Sequence, residues 1–547
     1  MLGTGTLRLT GNSSGFTGTT TISDGRLIVN GSLGGILMMT GGTLAGSGDI
    51  GAVTAGAGVT IAPGNSIGTL TIGGNLTFDP SSTYEVEVDP GSTASDLISV
   101  TGTAFLNGAS VAHVGMNGDY KPFSTYTILT ATGGISGTFG AVTSNYAFLV
   151  AGLSYDPNNV YLEIARNDVS FADMAATRNQ MAAAQAAENL GTGNDIYDAI
   201  VRLPSDETEV QASFDALSGE IHASIKTALI SQSLFVREAA NQRLRSAFGE
   251  SGAAVAPIQA FSPGGPELIY ANASDRPVFW STAFGGLSEA STDGNAATLR
   301  HQTGGFLAGV DTAYDDIRFG LMAGYSNSGF DPRHRASSGS SNDYHLGLYA
   351  GTEWGNFAFR FGLAHSWHEI DTSRRVVIGS FEDRLEAGYG AGTLQAFAEL
   401  GYRFDTAAAS FEPFVNLAHV GVRTAGFTEE GGAAALHSAG RTTNTTMTTL
   451  GLHVELDIGQ GGVGATLRGM AGWRHAAGDI VPLAHMGFAG GDRFTVAAVP
   501  LAANVFVLDA GLDFDLSASS SLGIAYSRQV AEDAQQHGVK TTLSVKF

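Results

Sequence analysis

The chain contains no cysteine, which excludes a disulfide framework and thiolate metal centres and suits an exported protein that does without disulfides. Charge is sparse: Asp, Glu, Lys and Arg make up 14% of the 547 residues, too few to clothe long solvent-facing helices. Cations are sparser still, with 28 Lys and Arg against 51 Asp and Glu and a formal net charge of -23. That balance excludes nucleic acid as a partner, because a phosphate backbone is gripped by Lys and Arg. There is no run of about 18 or more uninterrupted apolar residues, so any membrane crossing must be made by strands. Met1 to Gly11, MLGTGTLRLTG, has neither a basic nor an apolar run and does not read as a signal peptide. Taken alone that favours a cytosolic chain; beside the strand pattern below it suggests a fragment, or a start assigned downstream of the true one.

Glycine, by contrast, is abundant at 75 residues. Up to about residue 165 it punctuates short apolar pairs: Leu7 and Leu9, Leu27 and Val29, Val59 and Ile61, Leu70 and Ile72, Leu76 and Phe78. Each pair turns two side chains to one side of a short strand. Their recurrence at roughly 20 residues predicts rungs of a right-handed parallel β-helix, whose core exists only once rungs stack. From 168 to 250 Ala and Gln replace Gly. Phe171 to Leu190 reads as a helix closed by Gly191. After Pro204, Ile221, Ile225, Ala228, Leu229, Phe235, Val236 and Ala239 recur at helical spacing, with Gln232 the one polar member of that face.

From Pro277 onward the pattern alternates. Arg318, Gly320, Met322, Gly324 and Ser326 interleave with Ile317, Phe319, Leu321, Ala323 and Tyr325, and Tyr344 to Trp354 and Phe357 to Trp367 repeat the theme. One face is aliphatic and aromatic, while the other carries Gly with a few Arg, Glu and His. That is the wall of a narrow wet lumen, not the inside of a sandwich. Twelve strands are predicted to begin near Pro277, Thr303, Asp316, Tyr344, Asn356, Gly392, Ser410, Met447, Val463, Ala503, Ser519 and Gly538. Connections after the odd-numbered strands read as long and the others as tight, the parity of a barrel with loops on one side of a membrane and turns on the other. Closure with the first strand protects the apolar final strand, Gly538 to Phe547, from edge-to-edge aggregation.

An even strand number puts both ends of the barrel on the turn side. A β-helix displayed beyond the loops must then be reached through the lumen, and a helix ending near Phe248 can thread it because its backbone bonds are internal. Phe235, Val236, Asn241 and Arg243 are the expected pore-helix residues. Glu353, Arg360, Glu399, Arg403, Glu412, Glu455 and Arg468 are expected to face the lumen, bracing it and pairing with the helix. The glycines of that face leave room for a helix about 10 Å across.

Several stretches together resemble the monomeric autotransporters over essentially the whole chain. Gly15 to Gly31 is similar to their passenger-associated repeat, and Ala62 to Phe78 with Tyr84 to Asp89 and Asp96 to Ala109 resembles the end of their passengers. LSGE, Leu217 to Glu220, stands where the family has the same words before its pore helix. Thr303 to Ser326, with Gly304, Gly305, Gly309, Asp311, Gly324 and Tyr325, looks like the second and third barrel strands, and Phe411 to Val420 with Thr448 to Glu455 like the middle of the barrel. The resemblance implies a Gram-negative outer-membrane translocator that displays its own passenger, whose last rungs act as a folding nucleus. It also implies that the final strand, with Leu543, Val545 and the terminal Phe547, is the signal read by the barrel-assembly machinery. Members that cut themselves inside the barrel carry two adjacent Asn in the pore helix; here Ala240 precedes Asn241 in EAANQRLRS, so the passenger stub is expected to stay attached unless another protease acts.

Local motifs of other classes carry less. GNSIG, Gly64 to Gly68, has the nucleophile-elbow spacing but is followed by another strand and turn instead of a helix. GSGDIG, Gly46 to Gly51, lacks the helix that would present its N-terminus to phosphate. His365, His368, His475 and His485 read as interface or loop residues without ligand spacing.

The expectation is therefore an all-β chain with a helical linker: a β-helix stub with its cap over 1–167, a linker and pore helix over 168–250, a connecting loop over 251–275, and a twelve-stranded transmembrane barrel over 276–547. No catalytic residue, cofactor or metal is expected. The expected partners are outer-membrane lipid and lipopolysaccharide, the assembly machinery with periplasmic chaperones, and a host-surface ligand of the passenger, with the chain a monomer. The alternatives are an adhesin passenger and an upstream hydrolase.

Overall fold

The computed structural model describes residues 3–89, 91–115, 123–248, 258–262, 265–269, 277–406, 409–458, 465–517 and 520–545. The chain forms two compact units. One comprises Met1–Ala175, Ala187–Ser213 and Val377–Glu382, the other Ala176–Ala186, Phe214–Val376 and Asp383–Phe547.

In the first unit short parallel strands stack in ladders. One ladder runs through Thr6–Leu9, Arg26–Val29, Thr43–Gly46, Thr60–Pro63, Thr83–Val88, Ser110–Gly115 and Ala141–Ser144. Its inward positions are in register, Leu27 over Leu44, Ile61, Tyr84 and Val111, and all five are buried. Asp49–Ala55 turns a corner: Asp49 and Ile50 pair with Thr71 and Ile72, while Val53, Thr54 and Ala55 pair with Leu76, Thr77 and Phe78. Each rung therefore contributes to three faces, and the stack encloses one apolar core. At its end the pairing reverses. Asn159–Arg166 runs antiparallel to both Phe123–Ala131 and Leu149–Tyr155, which covers strand edges that parallel stacking would leave open. Gly64 to Gly68 is a bend between two strands.

The linker holds helices α1 (Arg178–Glu188), α2 (Asp195–Val201), α3 (Glu207–Leu217) and α4 (Ile221–Phe248). The helix expected from Phe171 is shorter, because Ser170 caps only a single 3-10 turn, Phe171–Met174, before α1 begins at Arg178. Gly219, with φ +63, breaks α3 from α4 in a backbone conformation that side chains with a Cβ resist. Within the expected connecting loop, Ile258–Ser262 pairs antiparallel with Gly265–Ile269; a sequence so rich in Gly and Pro hides that hairpin.

The second unit is a closed antiparallel barrel of twelve strands. They are β1 Val278–Ala290, β2 Leu299–Tyr314, β3 Ile317–Pro332, β4 Ser337–Trp354, β5 Phe357–Ile378, β6 Phe381–Tyr402, β7 Ala409–Thr424, β8 Arg441–Asp457, β9 Ala465–Gly478, β10 Asn504–Ser517, β11 Ser520–Val530 and β12 Ala534–Val545. Eight register pairs, Ala283 with Thr541 through Ala290 with Ala534, join β1 to β12. The expected parity of connections needs correction. Only those over 291–298, 425–440 and 479–503 are long; β5 and β6, at 22 residues each, meet across residues 379–380. The strands extend past the apolar band, and residues read as loop are pairing there. Phe319, Leu321, Leu346, Leu348, Phe361, Leu363, Leu417 and Leu450 are exposed on the outside. A belt of that size on a closed wall demands hydrocarbon. No described helix is long and apolar enough to cross a membrane.

His113, 2% exposed in the β-helix, accepts or donates one bond to the Ser144 hydroxyl at 3.2 Å, and burial pushes its imidazole down to about 4. The folded state thus favours the neutral ring, so this group's contribution is complete above about 6.5 and is lost as pH falls toward 4. The stability difference between the native chain and His113→Gln, measured by denaturant unfolding of the β-helix, is expected to shrink progressively between pH 7 and 4. A difference independent of pH would refute the assignment.

Candidate functional site

The feature that sets this barrel apart is its filling. α4 enters at the loop end and runs to the turn end. It is buried on every side, not on one stripe: Ala223, Ser224, Ile230, Ala240 and Leu244 are enclosed with the expected face, because a helix inside a wall has no solvent side.

At the loop end Ile221, Ile225, Leu229 and Ile230 pack with Phe330, Ile370, Tyr389, Val422, Met447 and Leu501. Above this plug one carboxylate, Glu429 in the 425–440 connection, collects four bonds. Its Oε1 accepts from His222 Nε2 (2.9 Å) and Arg374 Nε (3.0 Å), and its Oε2 from Arg374 Nη2 (2.5 Å) and the Leu436 N–H (2.9 Å). Phe427 stacks on both His222 and Tyr389. With Arg374 beside it, the Glu429 carboxyl is held well below the usual range. A small sheet of Phe427–Thr428, Leu436–Ser438, Leu483–Phe488 and Arg493–Ala497 covers the mouth and meets α4 through Lys226 Nζ on the Leu483 carbonyl (2.7 Å); just past the sheet, the Val499 carbonyl accepts from Thr227 Oγ1 (2.7 Å).

Midway, Phe235 stacks on Phe284 at 5.0 Å, and a Cβ on Gly286 would lie 2.8 Å from the Phe235 ring, so the wall is bare where the helix is bulky. Arg237 donates to Gln395 Oε1 (3.0 Å), while Gln395 Nε2 donates to the Ser233 carbonyl (3.0 Å). Wall groups not met by the helix bond to one another. Thr303, Ser328, Asp343, His368 and Thr393 form a chain across five strands, with links of 3.0, 3.0, 2.7 and 2.8 Å. A buried polar lumen has to be satisfied in this way, since each unpaired group costs about 1–3 kcal/mol.

Toward the turn end the contacts become ionic. Arg243 grips Asp311 with two bonds, Nε to Oδ2 at 2.6 Å and Nη2 to Oδ1 at 2.8 Å. Asp311 also accepts from Arg318 (2.6 Å) and the Tyr349 hydroxyl (2.9 Å). Beside it Glu399 accepts from Arg245, from Arg360 (2.8 Å) and from Asn416 (3.1 Å), and Arg360 also pairs with Glu412 at 2.9 Å. Asn241 reaches Glu399 Oε2 at 3.4 Å.

Of the residues expected in the lumen, Arg360, Glu399 and Glu412 are buried inside it. Glu353 is exposed at the turn end, and Arg403, half-buried just past β6, pairs with Asp405 at 3.0 Å. Glu455 and Arg468 are register partners, and Arg468 pairs with Asp513. Val236 is buried in the helix–wall core with Phe235. Leu543 and Val545 pair with Leu522 and Ser520; Phe547 lies outside the described residues. Asp311, Arg318, Arg237, Arg245 and Gln395 were missed as a site. The signal was present, since Asp311 shares the inward parity of Leu307 and the arginines interrupt an Ala-rich helix.

A lipid-facing twelve-stranded barrel plugged by the helix that precedes it in the chain defines an outer-membrane translocator. Residues 279–527 match the family described as "Autotransporter beta-domain", and the barrel they form is an autotransporter β-domain of the Gram-negative outer membrane. Two curated relatives, both described as "Extracellular serine protease" from Serratia marcescens, are 33% and 31% identical over 519 residues, 85% of this chain and 48% of each relative. The chain thus spans about half the length of the curated relatives it matches. Among solved structures, the translocator domain of the autotransporter NalP from Neisseria meningitidis is 13% identical with TM-score 0.41, covering 50% of this chain and 88% of that one.

Removing one partner of a buried ion pair strands the other. Asp311→Ala, which leaves Arg243 and Arg318 facing each other, is expected to destabilise the barrel by about 3–5 kcal/mol, read as heat-modifiable migration lost at a lower temperature on a gel. Removing both arginines along with Asp311 is expected to recover much of that loss.

Proposed function

We propose that the residues present here perform export and anchoring and carry no catalytic step of their own. The observation that carries this reading is α4, a continuous helix held through the barrel by its own chain's wall. It supports a segment that arrived by passing through the lumen and then locked there. The energy would come from folding of the β-helix beyond the membrane, since a rung that has stacked opposes backward sliding. Leu70, Ile72 and Leu76, all fully buried, belong to the rungs whose stacking would do this, in the role of a folding nucleus. Insertion would depend on the barrel-assembly machinery and periplasmic chaperones, and the translocator would act as a monomer. Between a hydrolase and an adhesin as the complete protein's passenger, the relatives' description favours the hydrolase.

We also propose that the passenger is not released by self-cleavage at Asn241. Glu399, the carboxylate its amide reaches at 3.4 Å, is already engaged by Arg245, Arg360 and Asn416, and an ion-paired carboxylate is a poor general base.

Two measurements test these readings. Replacing Leu70, Ile72 and Leu76 together with Ser is expected to reduce passenger accessibility to added protease on intact cells by roughly tenfold or more, since losing this much core exceeds the stability of a typical domain; full exposure would overturn the folding-driven route. Outer-membrane protein is expected to migrate as one intact chain, whereas a fragment beginning at Gln242 would overturn retention.

A further inference from the structure

The outward faces of β2 to β4 follow one order toward the loop end: apolar, aromatic, small or uncharged polar, charged. On β3 this reads Leu321, Ala323, Tyr325, Asn327, Gly329 and Asp331, and on β4 Leu348, Leu346, Tyr344, Asn342 and Ser340. Register aligns the two runs, with Tyr325 opposite Tyr344, Asn327 opposite Asn342 and Gly329 opposite Ser340. Phe306 opposite Tyr325 and Trp367 opposite Tyr344 carry the ring row onto β2 and β5. These positions share one parity, so they share the outer face; Ser326, Ser328, Asp343 and His345, which alternate with them, are buried on the inner one.

Beyond the rings the wall is bare. Gly285 and Gly304 are register partners, and Gly329 lies opposite Gln302, the next outward residue of β2. None of the three has the left-handed backbone that calls for glycine, and a Cβ added to any of them would meet no atom closer than 3.5 Å. The inner-face glycines of the same strands differ: a Cβ on Gly305 or Gly324 would lie 2.3 Å from a neighbouring carbonyl oxygen. Packing thus explains Gly305 and Gly324 but not the outer three. Glycine weakens a strand interior, and where packing does not demand it, it marks a place that a ligand approaches closely.

The groups around this floor are polar and uncharged. Asn342 Oδ1 accepts from the Tyr325 hydroxyl (2.7 Å) and from Asn327 Nδ2 (3.1 Å). Asn342 Nδ2, the Tyr344 hydroxyl and the Gln302 amide stay free among the described residues. Charge begins one row farther out, where Glu289, Arg300 and Asp331 stand opposite one another across β1, β2 and β3. Arg300 is already answered, its Nε on Glu289 Oε2 at 2.5 Å. Between Leu287 and His537 on one side and Gln302, Gly329 and Asp331 on the other lies a depression of about 560 Å³, within the range of small-molecule sites.

We propose that this shelf, with Gln302, Asn327, Asn342 and Tyr344 over the Gly285–Gly304–Gly329 floor, binds the sugar headgroup of an outer-leaflet glycolipid. The inference rests on the outer-membrane placement of the barrel and adds to it one side of the wall and one headgroup chemistry. Sugar hydroxyls both donate and accept, as the free amides and phenol do. A phosphate calls for unpaired guanidinium groups; here Arg300 is paired, and Asp331, Glu369 and Asp371 leave the rim acidic. Continuity with the lipid-facing wall selects a membrane-anchored sugar. Acyl chains lying against the exposed Leu321, Leu346 and Leu348 bring their headgroup onto the shelf, and the ring row meets it at the junction.

The test uses the full chain purified in a zwitterionic detergent. It is titrated with lipopolysaccharide, with the same glycolipid after enzymatic dephosphorylation, with a sugar-free phospholipid, and with the free oligosaccharide. Gly304→Val with Gly329→Val, which fills the floor, is expected to weaken glycolipid binding roughly tenfold or more, and Gln302→Ala with Asn342→Ala to do the same by removing donors. Dephosphorylation is expected to change native binding by less than about threefold, and the phospholipid to bind at least about tenfold more weakly. Unchanged binding in both variants would overturn the assignment. So would phospholipid binding equal to that of the glycolipid, a tenfold loss on dephosphorylation, or free oligosaccharide binding as tightly as the glycolipid. The two pairs of variants guard against a folding artefact, one adding atoms and the other subtracting them, and heat-modifiable migration reports on each. Its loss in the native chain would overturn the barrel reading itself, whereas its retention with unchanged glycolipid binding would sink only the shelf.

Discussion

Everything in the second unit depends on one requirement, that no backbone amide or carbonyl may face hydrocarbon without a partner. Twelve strands meet it by closing on themselves, and the decisive bonds are those between β1 and β12, the elements farthest apart in the barrel sequence. Closure settles the side chains as well. Once the ring is complete each strand has one face to lipid and one to the lumen, so Phe319 and Leu321 go outward while Arg318 and Gly320 go in.

Closure creates a second problem, which α4 solves. A bore lined by Asp311, Glu399, Glu412, Arg318 and Arg360 would hold concentrated charge at partial hydration. The helix brings Arg243 and Arg245 to the carboxylates and Ile225, Leu229 and Phe235 to the apolar wall. Buried ion pairs of this kind add little net stability over apolar replacements, but they penalise misregistration heavily. The helix is therefore held at one depth more than it is held tightly.

Much of this was legible in the residues. Period-two alternation located all twelve strands, and glycine-punctuated pairs located the rungs. Strand lengths were misjudged because β5 and β6 continue pairing beyond the apolar band, where polar residues on both faces erase the alternation. The helix face was drawn too narrowly because periodicity assumes a solvent side. Asp311 went unassigned as a helix partner although its parity was clear, since nothing local says which of the inward residues a threaded helix will touch.

By itself the sequence determined direction: the pleat sends neighbours to opposite faces, so composition along a strand states which side is lipid and which is water, without reference to any distant residue. Only the tertiary structure decided partnership. Arg245 meets Glu399 across 154 positions and Lys226 meets Leu483 across 257, contacts set by the ring's circumference and the helix's depth within it, and neither quantity is written in any local stretch of chain.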